Sequence, residues 1–275
     1  MNQKNDLFSL EKAFYIVTGG LGLLGKKHCE AIAYKGGIPV VLDLNIDESI
    51  KFSEQIENSY GVKPIIIQTD ITNEDSLKEA LAFLLQRDYS VKGLINNAAR
   101  NPGVSKEGLM CKGRLESFSI NEWNSDIAVG LTGSFLCSKI FGTHMAQNKG
   151  GVILNISSDL GLIAPNQNLY SNQNLKESEQ PVKPITYSVV KSGIVGLTRY
   201  LATYWPEKIR CNCLCPGGIF NNQDEKFLNK INQLIPIGRM ANVDEYKGAI
   251  VFMLSNASSY MNGTILPIDG GRTVW

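Results

Sequence analysis

Short apolar segments alternate with longer helical segments along the chain, and this alternation limits the possible folds more than any other feature. Seven short runs are rich in β-branched and other apolar residues, at positions 13–18, 39–44, 64–69, 93–96, 151–157, 210–215 and 264–268. Segments with a helical period lie between them, among them 25–35, 46–60, 73–87, 121–145 and 186–204. Such alternation predicts βαβ units and a mainly parallel sheet. Because the strands are continuously apolar, we expect helices on both faces of that sheet.

The whole chain is predicted to form one domain. Its length of 275 residues allows one large domain or two small ones, since domains average roughly 100–200 residues. No linker rich in Pro, Gly or Ser divides the sequence. We therefore predict a single doubly wound α/β domain over residues 1–275, with a mainly parallel seven-stranded sheet flanked by helices.

The charge and hydropathy of the chain exclude several classes of protein. The net charge is +1, whereas a nucleic-acid surface needs a basic excess. No apolar run reaches the roughly 18–20 residues of a membrane span. The polar first ten residues contain no apolar core of a secretory signal. We expect no nucleic-acid or membrane partner and a cytoplasmic location.

The cysteines are predicted to be structural. Three of the six alternate along one predicted strand, which places them on the same face of it; the full set is Cys29, Cys111, Cys137, Cys211, Cys213 and Cys215. A metal or redox site is the alternative, but the chain has no Cys-x-x-Cys pair and only two histidines. Small buried thiols are therefore the favoured interpretation, and no metal site is predicted.

A glycine-rich loop joins the first predicted strand to the first predicted helix. Gly19, Gly22 and Gly25 follow a G-x-x-G-x-x-G spacing. The first allows a tight turn, the second lets backbone N–H groups approach a pyrophosphate, and the third lets the helix pack close to the strand. The helix N-terminus directs its positive dipole end at the phosphates. The loop, with Leu23 and Leu24, therefore predicts a dinucleotide site.

The second predicted strand ends near Asp43, which lies 18 positions after Gly25. A carboxylate at this place accepts hydrogen bonds from the adenosine ribose and repels a 2′-phosphate. No Arg or Lys is adjacent to Asp43 or lies inside the glycine loop. The sequence therefore predicts NAD(H) rather than NADP(H). The alternative is that Asp43 caps a helix, a role that Asn45 or Asp47 is also placed to fill.

From Thr18 to Gly271 the chain resembles the short-chain dehydrogenase/reductase family. The order and spacing of the motifs carry the resemblance: the glycine loop, Asp43, Asp70-Ile71, Asn96-Asn97-Ala98, Asn155-Ile156-Ser157-Ser158, Tyr187-Ser188-Val189-Val190-Lys191, Pro216-Gly217-Gly218-Ile219 and Pro267-Ile268-Asp269-Gly270-Gly271. The resemblance implies a Rossmann fold, an NAD(P) cofactor and a homodimer or homotetramer. It also implies cofactor contacts from Asp70, Ile71, Asn97, Ala98, Tyr187, Lys191, Pro216, Gly217 and Ile219. Within the family, the C-terminal ending is similar to that of flagellin-modification and polysaccharide-related oxidoreductases.

Three residues are the predicted catalytic set. Tyr187 and Lys191 are four apart, so they share one face of a helix. An ammonium beside a phenol lowers the pKa of the phenol, as proton exchange near neutral pH requires. Ser158 closes the fifth strand, where its hydroxyl can hold the substrate oxygen. The set predicts an oxidoreductase that interconverts a secondary alcohol and a ketone, and the resemblance adds that Lys191 binds the nicotinamide ribose.

Gly130 and Asn221 are among the residues that depart from the pattern of the family. Gly130 stands where the family normally has an Asn that helps to hold a water of the proton relay. Asn221 stands where a Thr that holds the nicotinamide amide is usual, and its amide can still form hydrogen bonds. Gly130 keeps open the alternative of a non-catalytic nucleotide-binding sensor.

A polar insertion at positions 164–183 separates Ser158 from Tyr187, which lie much closer together in the family. Because both must meet at one substrate, the insertion must leave and re-enter near the mouth of the site. We therefore predict a substrate lid, with a tolerated surface insertion as the alternative. Its Asn and Gln amides suit a hydroxyl-rich substrate such as a sugar, a polyol or a sugar derivative. A 3-oxoacyl-carrier-protein reductase is the other candidate enzyme.

Overall fold

The computed structural model describes residues 6–100 and 113–275. Within them, seven strands form one sheet in the order β3-β2-β1-β4-β5-β6-β7, and every neighbouring pair is parallel. The strands are β1 Phe14–Thr18, β2 Ile38–Asp43, β3 Ile65–Gln68, β4 Val91–Asn96, β5 Gly151–Ile156, β6 Ile209–Pro216 and β7 Ile265–Ile268. The predicted fold class is confirmed, and each predicted strand boundary lies within two residues of the observed one.

Helices cover both faces of the sheet. The helices are α1 Leu23–Tyr34, α2 Ser49–Tyr60, α3 Glu74–Leu85, α4 Ile120–Ile127, α5 Gly133–Cys137, α6 Thr143–Gln147, α7 Ile185–Tyr204, α8 Glu225–Asn232 and α9 Lys247–Leu254. Helices α1, α2 and α9 pack on one face, and α3, α5, α6 and α7 pack on the other. Two π-helical turns, Ala128–Thr132 and Ser138–Gly142, connect α4, α5 and α6.

The two faces of the sheet each have an apolar core. Val17 and Val41 point into the first core, and Ile16 and Val40 point into the second, because alternate residues of a strand face opposite sides. All four side chains are fully buried. Burial of such a side chain contributes about 1.5–3 kcal/mol. The sheet is therefore fixed in register by two independent apolar layers.

The strand β6 carries the three alternating thiols. Cys211, Cys213 and Cys215 are fully buried, and the Sγ atoms of the last two lie 3.8 Å apart. Burial raises the pKa of the Cys211 thiol. The prediction of buried thiols on this strand is confirmed, while Cys111 lies outside the described residues.

The order of the strands fixes the place of the site. From β1 the chain moves outward through β2 to β3, and it then returns to place β4 on the other side of β1. Loops at the carboxyl ends of β1 and β4 therefore diverge and leave a crevice between them.

None of the helices in the described residues is long and apolar enough to cross a membrane.

Candidate active site

A cleft of about 1140 Å³ lies along the carboxyl edge of the sheet. It brings together residues that are far apart in the sequence, from the glycine loop after β1 to the segment after β6. The predicted catalytic residue Ser158 lines it, and so do fourteen of the fifteen predicted cofactor residues: Gly19, Gly22, Leu23, Leu24, Asp43, Asp70, Ile71, Asn97, Ala98, Tyr187, Lys191, Pro216, Gly217 and Ile219. The exception, Gly25, is buried in α1.

The glycine loop has the geometry of an anion site. Gly19 has a φ of +60°, and a Cβ on Gly25 would lie 2.1 Å from the Gly19 carbonyl oxygen. Gly22 is the N-cap of α1, which has no side-chain cap and no acidic residue in its first turn. The first N–H groups of α1 therefore lack a side-chain acceptor, and the helix dipole favours a negative group there. These residues fit the pyrophosphate of a dinucleotide.

The end of β4 holds the glycine loop in place. The Asn97 side-chain amide donates to the carbonyl oxygens of Thr18 and Gly19, at 2.9 and 3.1 Å. The Thr18 hydroxyl accepts from the backbone N–H groups of Asn97 and Ala98, at 3.0 and 3.1 Å. The loop is thus preorganised, and Asn97 contributes to the cleft mainly by fixing its floor.

Acidic side chains surround the other end of the loop. Asp43 accepts a hydrogen bond from the backbone N–H of Leu21 at 3.0 Å, which joins the end of β2 to the loop. Asp47, Glu48 and Asp70 also line this part of the cleft. The first-turn lysine of α1, Lys26, forms an ion pair with Glu48. Four carboxylates therefore line this end of the cleft, and one of them is paired with a lysine.

The three predicted catalytic side chains meet at the opposite end. Ser158 follows β5, and Tyr187 and Lys191 lie on successive turns of α7. The Lys191 ammonium donates to the Ile156 carbonyl oxygen at 3.0 Å and lies 5.9 Å from the centre of the Tyr187 ring. The Ser157 hydroxyl donates to the Lys191 carbonyl oxygen at 2.7 Å, which ties α7 to the end of β5.

Burial determines the protonation of this set. It lowers the pKa of Lys191 to about 8, because the charged form loses its hydration. Burial also raises the pKa of Tyr187, and the hydrogen bond with Ser158 offsets this only in part. The expectation that Lys191 holds the tyrosine pKa below its usual value is therefore wrong for the free protein. Tyr187 is instead a neutral phenol in the free protein.

Comparisons with known proteins decide the family. The family model described as short chain dehydrogenase matches residues 13–172, more than half of the chain. The chain belongs to the short-chain dehydrogenase family. A second model, described as enoyl-(acyl carrier protein) reductase, matches residues 175–273. Because the chain belongs to the short-chain dehydrogenase family, it is an oxidoreductase of CH–OH groups that uses an NAD(P) cofactor.

Similar proteins include enzymes of polyols. An NADP-dependent mannitol dehydrogenase of Alternaria alternata is 30% identical, over 98% of this chain and 95% of that protein. The post-translational flagellin modification protein A of Campylobacter coli is 28% identical, over 95% of this chain and 98% of that protein. A solved short-chain dehydrogenase/reductase from Mycobacterium marinum superposes with a TM-score of 0.82 at 26% identity, covering 98% of both chains.

A buried ion pair in this short-chain dehydrogenase was missed by sequence reasoning. The Ser158 hydroxyl donates to Asp159 Oδ1 at 2.7 Å, and an Arg272 guanidinium nitrogen lies 2.8 Å from Asp159 Oδ2. Asp159 is 3% exposed and Arg272 is 7% exposed. The C-terminal segment therefore positions Ser158, the predicted catalytic serine, through Asp159. The available signal was that Asp159 is the single charged residue between Lys149 and Lys176.

Gly130 marks a close approach of two helical segments. It lies in the π-helical turn before α5, and a Cβ there would come within 2.5 Å of Val190 Cγ1. The Gly130 carbonyl oxygen accepts a hydrogen bond from Ser134 at 2.9 Å. An Asn at this position would therefore require the Val190 side chain or the helix that carries it to shift.

The insertion at 164–183 lies beside the cleft and lines it only with Leu169, Tyr170 and Lys183. It contains the 3-10 turns Gln167–Tyr170 and Glu177–Glu179. The Tyr170 ring packs on Phe227 of α8 at a centroid distance of 5.9 Å. The start and the end of the insertion therefore reach the substrate side of the cleft.

The amides of the insertion do not line the cleft, contrary to the expectation from the sequence. The Gln180 amide donates to the carbonyl oxygens of Asn172 and Leu175, and its oxygen accepts from the Asn172 N–H. The Asn166 side chain likewise accepts from the Asn168 N–H. These groups satisfy the backbone of the insertion, because an irregular segment has no regular backbone partners. The amide lining is therefore not an argument for a hydroxyl-rich substrate.

Proposed function

We propose that this short-chain dehydrogenase interconverts a secondary alcohol and a ketone of a sugar, polyol or sugar derivative, with NAD(H) as cofactor. The observation that carries the proposal is the placement of Tyr187 beside Ser158 and Lys191, in the same cleft as the glycine loop and Asp43. Such a cleft accommodates a dinucleotide along one half and a small molecule at the other. The polyol relatives support the substrate class.

Each catalytic side chain has a distinct role in the proposed reaction. Ser158 donates a hydrogen bond to the substrate oxygen, for which it exchanges its bond to Asp159. Tyr187 gives its proton to that oxygen during ketone reduction and takes it back during alcohol oxidation. Lys191 stabilises the phenolate that forms when the proton leaves. The nicotinamide, when bound, supplies or accepts the hydride.

Asp43 is the basis for proposing NAD(H) over NADP(H). The mannitol dehydrogenase relative is NADP-dependent by name, so membership of the family does not by itself favour NAD(H). In this chain the ribose end of the cleft is lined by Asp43 together with Asp47, Glu48 and Asp70. A 2′-phosphate placed there would meet several like charges.

We also propose that residues 1–275 act as one domain in which the insertion 164–183 is a substrate lid. The cleft contacts of its two ends support this role.

A second part of the proposal is assembly into a homodimer or homotetramer. Exposed aromatic side chains support it, namely Phe135 on α5 and both Tyr200 and Tyr204 on α7. Light scattering of the purified protein measures the oligomeric state.

The experiment is a substrate screen that follows NADH. Polyols, sugar acids and a 3-oxoacyl thioester are tested with the wild type, Tyr187→Phe and Ser158→Ala. Turnover of polyols or sugar acids that is lost in both variants supports the proposal. Turnover of the thioester alone would favour the 3-oxoacyl-carrier-protein reductase. NAD binding with no turnover of any substrate would favour the non-catalytic sensor.

A further inference from the structure

Lys183 has a position that the catalytic set does not explain. It is the last residue of the insertion and lies two positions before α7 begins. Its ammonium lies 3.8 Å from the centre of the Tyr187 ring, much closer than the 5.9 Å of Lys191. The Lys183 backbone N–H donates to the Gln167 side chain at 2.9 Å, so the start of the insertion fixes its position. A cation is therefore held at the proton-transfer end of the cleft.

The other cations that line the cleft are already satisfied. Arg272 pairs with Asp159 at 2.8 Å, and Arg100 lies 3.5 Å from an oxygen of Asp126. The Lys191 ammonium donates to a backbone carbonyl. Within residues 6–100 and 113–275, no carboxylate lies within 4.0 Å of the Lys183 ammonium. Lys183 is thus a cation whose counter-ion is absent from the described fold.

The surroundings of Lys183 favour an incoming anion. Burial lowers its pKa to about 8, and the charges of Lys191 and Arg272 act in the same direction, while Asp159 raises it. Tyr187 is also titratable and contacts Lys183, but it presents only the face of its ring to the Lys183 ammonium. An ammonium that has lost hydration without gaining a counter-ion is costly. A negatively charged ligand would remove this cost.

We propose that Lys183 binds an anionic group of the substrate, a carboxylate or a phosphate ester, while Tyr187 and Ser158 engage its reacting oxygen. This inference rests on the proposed function, because it places the anion on the same substrate. It makes the substrate an acidic sugar or polyol derivative. The lid then has a specific task, which is to carry the charge that selects this substrate.

The test compares substrates that differ in charge. Sorbitol is neutral, gluconate carries a carboxylate, and sorbitol phosphate carries a phosphate ester. The wild type is compared with Lys183→Met, Lys183→Arg and the control Lys226→Met, which removes an exposed charge of α8 outside the cleft. The measured quantity is the ratio of kcat/KM for each anionic substrate to that for sorbitol.

We expect Lys183→Met to lower this ratio by roughly 10- to 150-fold, the usual effect of losing a hydrogen bond to a charged group. The loss should lie in KM, Lys183→Arg should restore much of it, and Lys226→Met should leave it unchanged. The anionic substrate with the higher kcat/KM, gluconate or sorbitol phosphate, shows whether the group bound by Lys183 is a carboxylate or a phosphate ester. An equal ratio in the wild type and Lys183→Met would overturn the inference, and so would a loss confined to kcat.

A second measurement separates this inference from the proposed function. Calorimetry follows gluconate and sorbitol phosphate binding to the NADH-loaded protein, without turnover. Binding that depends on Lys183 in a protein that oxidises none of the three compounds would contradict the proposed function alone. Turnover of sorbitol together with anion binding that is unaffected by Lys183→Met would contradict the inference alone.

Discussion

Asp43→Asn should weaken the proposed preference of the enzyme for NAD over NADP. The variant removes one negative charge from the ribose end of the cleft and keeps an oxygen that accepts from the Leu21 N–H. A unit charge pair roughly 4 Å apart interacts by about 1–4 kcal/mol between the dielectric limits of water and a protein surface. Asp43 is half-buried, so the middle of this range applies. We expect the NAD/NADP ratio of kcat/KM to fall about 10- to 100-fold, since 1.36 kcal/mol is one factor of ten.

The assay measures initial rates with each cofactor at a saturating concentration of the substrate. The control is Asp75→Asn, which removes the same charge from an exposed side chain of α3 outside the cleft. Added salt should reduce the difference between wild type and Asp43→Asn, because salt screens partly exposed charges. A ratio that stays within about twofold of the wild type would refute the electrostatic basis of the proposed NAD preference.

Further predictions concern packing, the buried ion pair and pH. Gly130→Asn should lower the free energy of unfolding by about 1–3 kcal/mol, because the cleft helices leave no space for a side chain; urea denaturation measures it. Arg272→Met should destabilise the fold by about 3–5 kcal/mol, and adding Asp159→Leu should recover most of that loss, since it removes the unpaired buried charge. The KM for an anionic substrate should rise as the pH passes about 8, where Lys183 loses its proton, and the KM for sorbitol should not follow it.

The fold was predictable because it depends on local patterns. Each strand is a short continuous apolar run, and each intervening helix has its own period, so both appear in the sequence without knowledge of the packing. The helix α3 even shows its start, since Asn73 caps it and Glu74 follows in the first turn. The crossover rules of parallel sheets then restrict how such units assemble.

The site was predictable only where its residues belong to contiguous motifs. The turn before α1 and the Tyr187–Lys191 spacing are local, and the structure brings them to one cleft. The pair of Asp159 and Arg272 joins positions 113 residues apart, and no local pattern connects them. The pKa of Tyr187 was mispredicted because the sequence shows a neighbouring lysine but not the burial that opposes it.

The most direct test of the assigned chemistry is the rate of NADH formation by Tyr187→Phe compared with the wild type, on the best substrate of the panel. The affinity for NADH is measured in parallel by fluorescence. We predict a loss of about 10²- to 10⁴-fold in kcat, the usual contribution of a general acid–base, with NADH binding within about twofold of the wild type. A variant that retains more than about a tenth of the wild-type kcat would contradict the assignment of Tyr187 as the proton-transfer residue.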